Sequence, residues 1–444
     1  MRIRAMSRVT ARYTWDHLRV SLWFLPAVMA ILAILLAWTV YWLDTYVPNE
    51  ALNNSRFVLS GTSADVRAAL LSMAATVLTT ASVVFTLLTL PLSTVVAQYG
   101  SRLLRVFLAD RTTQIVLAMF AGTFVYCIAA SMSIPPAEVE FDSPQLIPTV
   151  GLYLMIATFG TLILLVQHVS TMLQAPNIAA AAGAQLLEVV HAEILGEDAA
   201  ESGLAASVQG APSSLLVGEG YPVTVNSNGY IQAADPEILL SLAQEQNLVV
   251  RVVRKPGAFV RSGEVVALVW PVEQVDARLA ALVSRTFRLG NQRTPTQDVE
   301  CAVNQLVEMA VRAMSPAIND PFTAMTCLDH IASGLAQFVR QGGETPYLLD
   351  QKGQLRLIFE PITFAELLNA AFDMLRHASC DNASVLLHML KTIETIGGAT
   401  KSTESHQELV RHVRLIQAES KAGQLIEEDM QHIQQISEAL KSSL

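Results

Sequence analysis

Residues 68–98 read AALLSMAATVLTTASVVFTLLTLPLSTVVAQ, 31 consecutive positions without an ionisable side chain. As a helix, such a run extends about 46 Å at 1.5 Å per residue, more than the roughly 30 Å of hydrocarbon in a bilayer. It therefore reads as a membrane span. Within it Thr79, Ser82, Thr86, Thr89 and Ser93 recur at spacings of 3, 4, 3 and 4, which puts five hydroxyls on one helical face. Two readings of that stripe stand side by side. Hydroxyls let neighbouring helices approach and bond across the contact, or they line a hydrated path formed by several copies of the helix. Pro91 lies inside the run, where a missing N–H and a ring clash are expected to bend the helix.

Working outward, three more charge-free runs cover 22–43, 112–134 and 146–173, the last interrupted by His168. The first follows Arg2, Arg4, Arg8, Arg12 and Arg19 and lacks the small-residue cleavage site of a secretory leader, so it reads as an uncleaved span. Arg102, Arg105 and Arg111 fall on the side of that basic N-terminus. Asp44, Glu50 and Asp65, then Glu138, Glu140 and Asp142, fall on the other. The positive-inside rule then places both termini of a multi-pass protein in the cytoplasm. No span carries Asp, Glu, Lys or Arg, which disfavours proton relays and ion-coupled pumping, because those need buried ionisable groups. His168 reads as an interfacial residue.

The composition agrees. Mean hydropathy is +0.40 and 15% of the 444 residues are charged, against about 25% in soluble proteins. Residues 1–173 hold 10 Lys and Arg against 8 Asp and Glu, leaving 19 against 31 of the chain's 29 and 39 for the remainder. So acidic a C-terminal region argues against a nucleic-acid partner. Cys127, Cys301, Cys327 and Cys380 show no paired spacing, as expected in a reducing compartment.

These features predict an α-helical integral membrane protein with four transmembrane helices and a cytoplasmic α+β region, a small β-module followed by a helical bundle. The boundaries are a cytoplasmic N-terminus over 1–21, a membrane domain over 22–173, and a helical connection and linker over 174–220. A β-rich module over 221–271 and a mainly helical domain over 272–444 follow. In the module, short strands are expected near 223–225, 230–232, 248–253 and 265–270, with Asp235-Pro236 opening a helix. Residues 254–266 resemble the corner chemistry of small lipoyl-like or hammerhead barrels, without a modifiable lysine at a hairpin tip.

A helix from Pro271 is expected to display Arg278, Arg285 and Arg288 on one face, with Arg293 in the loop after it, as partners for acidic neighbours or as a site for an anionic ligand or lipid headgroup. Thr294-Pro295-Thr296-Gln297 reads as a capping box opening a helix to Met314, which Ser315-Pro316 ends. Asp320-Pro321 then reads as the start of the next helix, so that Asn319 and Asp320 serve as turn and cap, with a ligand or catalytic role as the alternative. A hairpin over 347–359 and helices opening at Thr363, Asp381, Thr403 and Gly423 complete the expectation. His377, Cys380, Asp381 and His388 are a weak candidate metal set, set aside because the helix breaks between Cys380 and Asp381.

With these residues quoted, the chain resembles over nearly its whole length a bacterial family of predicted membrane proteins with a domain of unknown function. The resemblance rests on Arg102-Leu103-Leu104, on Gly257-x-Phe259-Val260-x-x-Gly263, on Asn291-Gln292-Arg293-Thr294 and on Gln297-Asp298-Val299-Glu300. Its most specific string is Ser315-Pro316-Ala317-Ile318-Asn319-Asp320-Pro321-Phe322-Thr323. It implies an inner-membrane protein with a cytoplasmic C-terminal region and supplies no catalytic residues. No nucleophile elbow, phosphate loop, dinucleotide fingerprint or zinc-protease motif occurs, so no enzyme, cofactor or metal is expected. The leading expectation is a homo-oligomeric channel conducting ions, lined by the second span and assembled or gated by the C-terminal region. The alternative is a non-conducting membrane-anchored scaffold or sensor that binds a cytoplasmic partner or small anionic ligand.

Overall fold

The computed structural model describes residues 21–46, 59, 62–99, 110–134, 145–194, 218–341, 347–350 and 352–444. The basic N-terminus, Glu50, the Arg102 and Arg105 loop, the Glu138, Glu140 and Asp142 loop and the linker proper lie outside these residues. The chain divides into two compact units, a membrane unit within residues 15–177 and a second unit built on residues 178–444.

Among the described residues four helices are long and apolar enough to cross a bilayer. They are α1 (Phe24–Tyr46), α2 (Ser63–Tyr99), α3 (Arg111–Ser133) and α4 (Leu146–Met172). The α2 helix runs unbroken through Pro91. Its start is fixed by a reciprocal cap in which Thr62 Oγ1 accepts from Asp65 N at 3.2 Å while Asp65 Oδ2 accepts from Thr62 N at 3.3 Å. The third span is the centre of the unit. Small residues on α1, Ala33 and Ala37, are buried against α3, and Met29 lies against Gly122. Close approach of small side chains replaces the hydrophobic effect as the source of helix association in lipid. Thr123 and Thr158 share a buried hydrogen bond of 2.7 Å between α3 and α4, worth about 0.6 kcal/mol in such settings. The second span meets the others through side chains, Val66, Leu70 and Ala74 in one cluster and Val77 and Val84 in another.

After a two-residue break at Leu173 and Gln174, the chain continues as α5 (Ala175–Ile194). The second unit then opens with β1 (Tyr221–Thr224), β2 (Gly229–Ala234), α6 (Pro236–Glu245), β3 (Val249–Val252), β4 (Phe259–Val260) and β5 (Val265–Trp270). Next come α7 (Ala277–Ser284), β6 (Phe287–Gly290), α8 (Val299–Ala313), α9 (Pro321–Arg340), β7 (Tyr347–Leu349) and β8 (Leu355–Ile358). Four helices close the chain, α10 (Phe364–Ala378), α11 (Ala383–Gly397), α12 (Thr403–Ala422) and α13 (Glu427–Ser443). One sheet has the order β1-β5-β3-β8-β7 and the other β4-β2-β6. All pairs are antiparallel except β3 with β8. The expected hairpin thus extends the sheet of the β-module, and buried Arg356 pins it there. Its Nε bonds Asp350 at 2.9 Å and its Nη1 bonds Asn247 at 2.9 Å.

The module core gathers Val223, Ile231, Leu239, Val250, Val260, Val266 and Phe287. In the helical part α8 packs on α9 and α10, α9 on α11, and α12 and α13 on α11. Helix α5 is joined to α9 at two glycines, because an added Cβ at Gly183 would meet His330 Nδ1 at 2.5 Å and Gly334 has no room beside Leu186.

Candidate functional site

The hydroxyl stripe of α2 points away from the chain's own bundle. Thr79, Ser82, Thr86, Thr89 and Ser93 are all exposed. Four of them donate to their own helix: Thr79 to Ala75 O at 2.9 Å, Ser82 to Leu78 O at 3.2 Å, Thr86 to Ser82 O at 3.1 Å and Thr89 to Thr86 O at 3.1 Å. Packing between spans of one chain therefore does not account for the stripe. The face is also longer than the five hydroxyls. Asp65 and Ser72 precede Thr79, Thr86 and Ser93 at intervals of seven, and Ala68 and Ala75 precede Ser82 and Thr89 in the same way, every one exposed. The small and polar side chains of this face thus recur every seven residues. The sequence holds that signal, and the extension to Asp65 and Ser72 is what the reading of the stripe missed.

Polar groups tie the ends of the spans. At one end Asp44, on α1, accepts from the amides of Leu146 at 3.1 Å and Ile147 at 3.4 Å, capping α4 across about a hundred residues of chain. Arg67 donates to Ile134 O and Tyr126 to Ile147 O at 3.0 Å. At the other end Asp110 caps α3 through Thr113 N at 2.7 Å, and His168 Nε2 stands 3.1 Å from its carboxylate. His168 thus sits at a helix end beside an acid.

In the second unit the three shorter strings that carried the resemblance there converge. Arg293 holds Asp298 with two bonds of 2.8 Å and reaches Glu300 at 3.2 Å. Asp298 in turn caps α8 through Cys301 N at 2.8 Å. Gly257, at φ +90°, is pressed against this pair so closely that an added Cβ would stand 2.8 Å from Asp298 Cγ. Gln297 accepts from Ala234 N at 2.9 Å, and Gln232 donates to Gln292 O at 2.8 Å. Burial opposes the charge of Arg293, but its bonds to Asp298 and Glu300 outweigh that and hold the guanidinium protonated.

This geometry corrects two expectations. The helix expected from Pro271 is the shorter α7, started by Asp276, whose side chain accepts from Leu279 N at 2.7 Å, and ended at Ser284. Phe287 then pairs with β2, so the stretch becomes a strand. Arg278 is consequently on a helix, Arg285 at its end and Arg288 on β6. All three are exposed, and they do not form one helical face. The capping box at Thr294 also does not form, because Asp298, fixed by Arg293, starts the helix and leaves Thr294 and Pro295 buried in the turn before it. The Asn319 corner is as expected. Asn319 takes φ +48°, and Asp320 caps α9 through Thr323 N at 3.1 Å. Ile318 and Phe322 beside it are exposed. His377 bonds Glu419 at 2.9 Å and His388 bonds Asp329 at 2.7 Å. Among the described residues no group of three or more His, Cys, Asp or Glu is placed to hold a metal.

Four apolar helices followed by this α+β unit match one family model, described as a predicted membrane protein (DUF2254), over residues 19–395. The chain belongs to the DUF2254 family. As a DUF2254 chain it is a multi-pass membrane protein, and the match runs from the edge of α1 into α11. Uncharacterized proteins of Mycobacterium bovis and Mycobacterium tuberculosis are 26% identical to it over 353 residues, covering 77% of this chain and 65% of theirs. The chain thus spans just under two thirds of the length of these relatives. No solved structure matches it.

Proposed function

We propose that this DUF2254 chain forms a homo-oligomeric channel in a bacterial inner membrane, with both termini cytoplasmic and with α2 helices from several copies lining the path. One observation carries the reading: among the described residues of the four spans, the long polar face is that of α2, which is exposed on the single chain and repeats every seven residues. Hydroxyls bonded to their own helix present lone pairs to a passing ion without a fixed charge. The second unit, entered five residues after α4, serves assembly or gating, and no catalytic role is assigned to it. The described parts of the spans offer no acid or base at mid-depth, which fits passive flux better than coupled transport.

The test is ion flux through purified protein in liposomes and planar bilayers. Channel activity is expected, with Thr86→Val and Ser82→Ala reducing unitary conductance or shifting selectivity. Silence across several salts, pH values and membrane tensions overturns the reading, and conductance unchanged in both variants removes the stripe from the path. Exposed Ile318 and Phe322 at the corner before α9 favour a second reading, a membrane-anchored scaffold that presents this corner to a cytoplasmic partner. Retention of such a partner by wild-type protein but not by Phe322→Ser, with flux absent, would select it.

A further inference from the structure

The sheet β4-β2-β6 carries a surface that neither reading uses. Register places Tyr230 opposite both Phe259 and Gly290, and Arg288 lies two residues from Gly290 on the same strand. Side chains two apart on a strand share a face, so Tyr230, Phe259 and Arg288 are together, and Arg261 follows directly after β4, two residues from Phe259. The Tyr230 and Phe259 rings meet edge to face at 5.1 Å, yet Phe259 remains 51% exposed. Arg261 and Arg288 are exposed as well. An exposed aromatic pair flanked by arginines is costly to leave in water and suits a boundary that is apolar below and anionic above.

Charge along the chain sharpens this. Residues 251–293 contain eight Lys and Arg against three Asp and Glu, whereas residues 174–250 contain no Lys or Arg against nine Asp and Glu. Seven of the eight cations are arginines, whose planar fork pairs with phosphate oxygens. Of the eight, Arg254, Lys255 and Arg293 pair with Glu264, Glu366 and Asp298, and Arg251 lies on β3 and Arg278 on α7; Arg261, Arg285 and Arg288 are exposed on or beside this sheet, within an otherwise acidic unit. Of the anionic surfaces such a patch fits, the bilayer is the one always present, since the same chain is anchored in it.

We propose that the outward face of the β4-β2-β6 sheet, with Tyr230, Phe259, Arg261 and Arg288, docks on the anionic headgroups of the membrane that holds the chain. The arginines contact lipid phosphates and the two rings enter the headgroup layer. Attraction of this kind is screened by salt and depends on the fraction of anionic lipid.

The full chain placed in nanodiscs of phosphatidylcholine alone, or with phosphatidylglycerol added, tests this through backbone hydrogen exchange over residues 255–263 and 285–290. Slower exchange is expected with phosphatidylglycerol, reversed by high salt. The variants R261Q and R288Q should each cut the docked-to-undocked ratio about fivefold, and together about 25-fold. Phe259→Ser should weaken docking without changing its salt dependence. Unchanged exchange of Val266 and Val269 in the core strand β5 verifies that the variants are folded. Equal exchange in the two lipids overturns the proposal, as does protection insensitive to all three substitutions. Protection by free inorganic phosphate in neutral discs also overturns it, because it would mark an anion pocket in place of a bilayer contact.

Discussion

Single residues in the second unit carry consequences that can be measured apart from any transport assay. His412 is fully buried in the helical part, with its ring 5.5 Å from that of Phe372 and Arg411 donating to Nε2 at 3.1 Å. Burial, and then the neighbouring Arg411 charge, lower its pKa to about 4. The unfolded chain binds this proton more readily than the folded one, so folded stability is lost as pH falls from about 6.5 towards 4. The loss amounts to about 3 kcal/mol for that shift. Thermal unfolding in detergent should show this slope, and His412→Gln should flatten it; a slope unchanged by the substitution assigns the acid sensitivity elsewhere. Asp350 acts in the same direction at lower pH. Burial raises its pKa, but the Gln354 amide and Arg356 more than offset that and hold it below the ordinary carboxylate range. Its contribution is complete above about pH 4 and lost as pH falls through the depressed value. Gly257 offers a sharper probe. A Cβ there strains a φ of +90° and strikes the Arg293–Asp298 pair, so Gly257→Ala should cost about 2 kcal/mol or more and lower the melting temperature, whereas Gly263→Ala, with open space around it, should cost less.

At the scale of elements, periodicity was enough to read the spans and most helices. Caps were read well where they stood alone. Asp235, Asp320 and the Thr363–Glu366 box each start their helix as expected. Where two caps compete within five residues, local chemistry does not choose between them. Asp298 prevails over Thr294 because Arg293 and the module turn at Gly257 hold it, a tertiary contact some forty residues distant in the chain. The arginine face failed for a related reason: spacings of 7 and 3 fit one helix, but Phe287 is claimed by pairing with β2. The capping of α4 by Asp44 left no local trace at all. The contact between α5 and α9 is equally invisible in sequence and yields its own expectation. Gly183→Ala brings a Cβ to 2.8 Å from the Cβ of His330, which no rotation of that ring relieves. The helices must separate, at about 1–3 kcal/mol, and exchange of α9 amides should speed up while the spans keep their helical signal.

For the whole molecule, the order of parts was legible: four spans, a connecting helix, a β-module and a helical bundle. The candidate site was legible only in part, since its five hydroxyls form a visible stripe while their exposure depends on how α1, α3 and α4 fill the bundle. A single chain offers only the outer face of one helix, so the channel reading requires several copies. Mass measurement in detergent should return a ring of about four to six chains, the range that leaves a helix-lined opening between members; a monodisperse monomer removes the path. The packing of α2 then bears on how such a ring would open. The backbones of α1 and α3 are locked by small residues and α4 is fastened to α1 by Asp44, so these three form a frame. The second span touches that frame through side chains such as Leu70 and Val84. It is the slat of a shutter set in a fixed casing, pinned at one end where Arg67 donates to Ile134 O, so a ring opened by turning it has that bond to break.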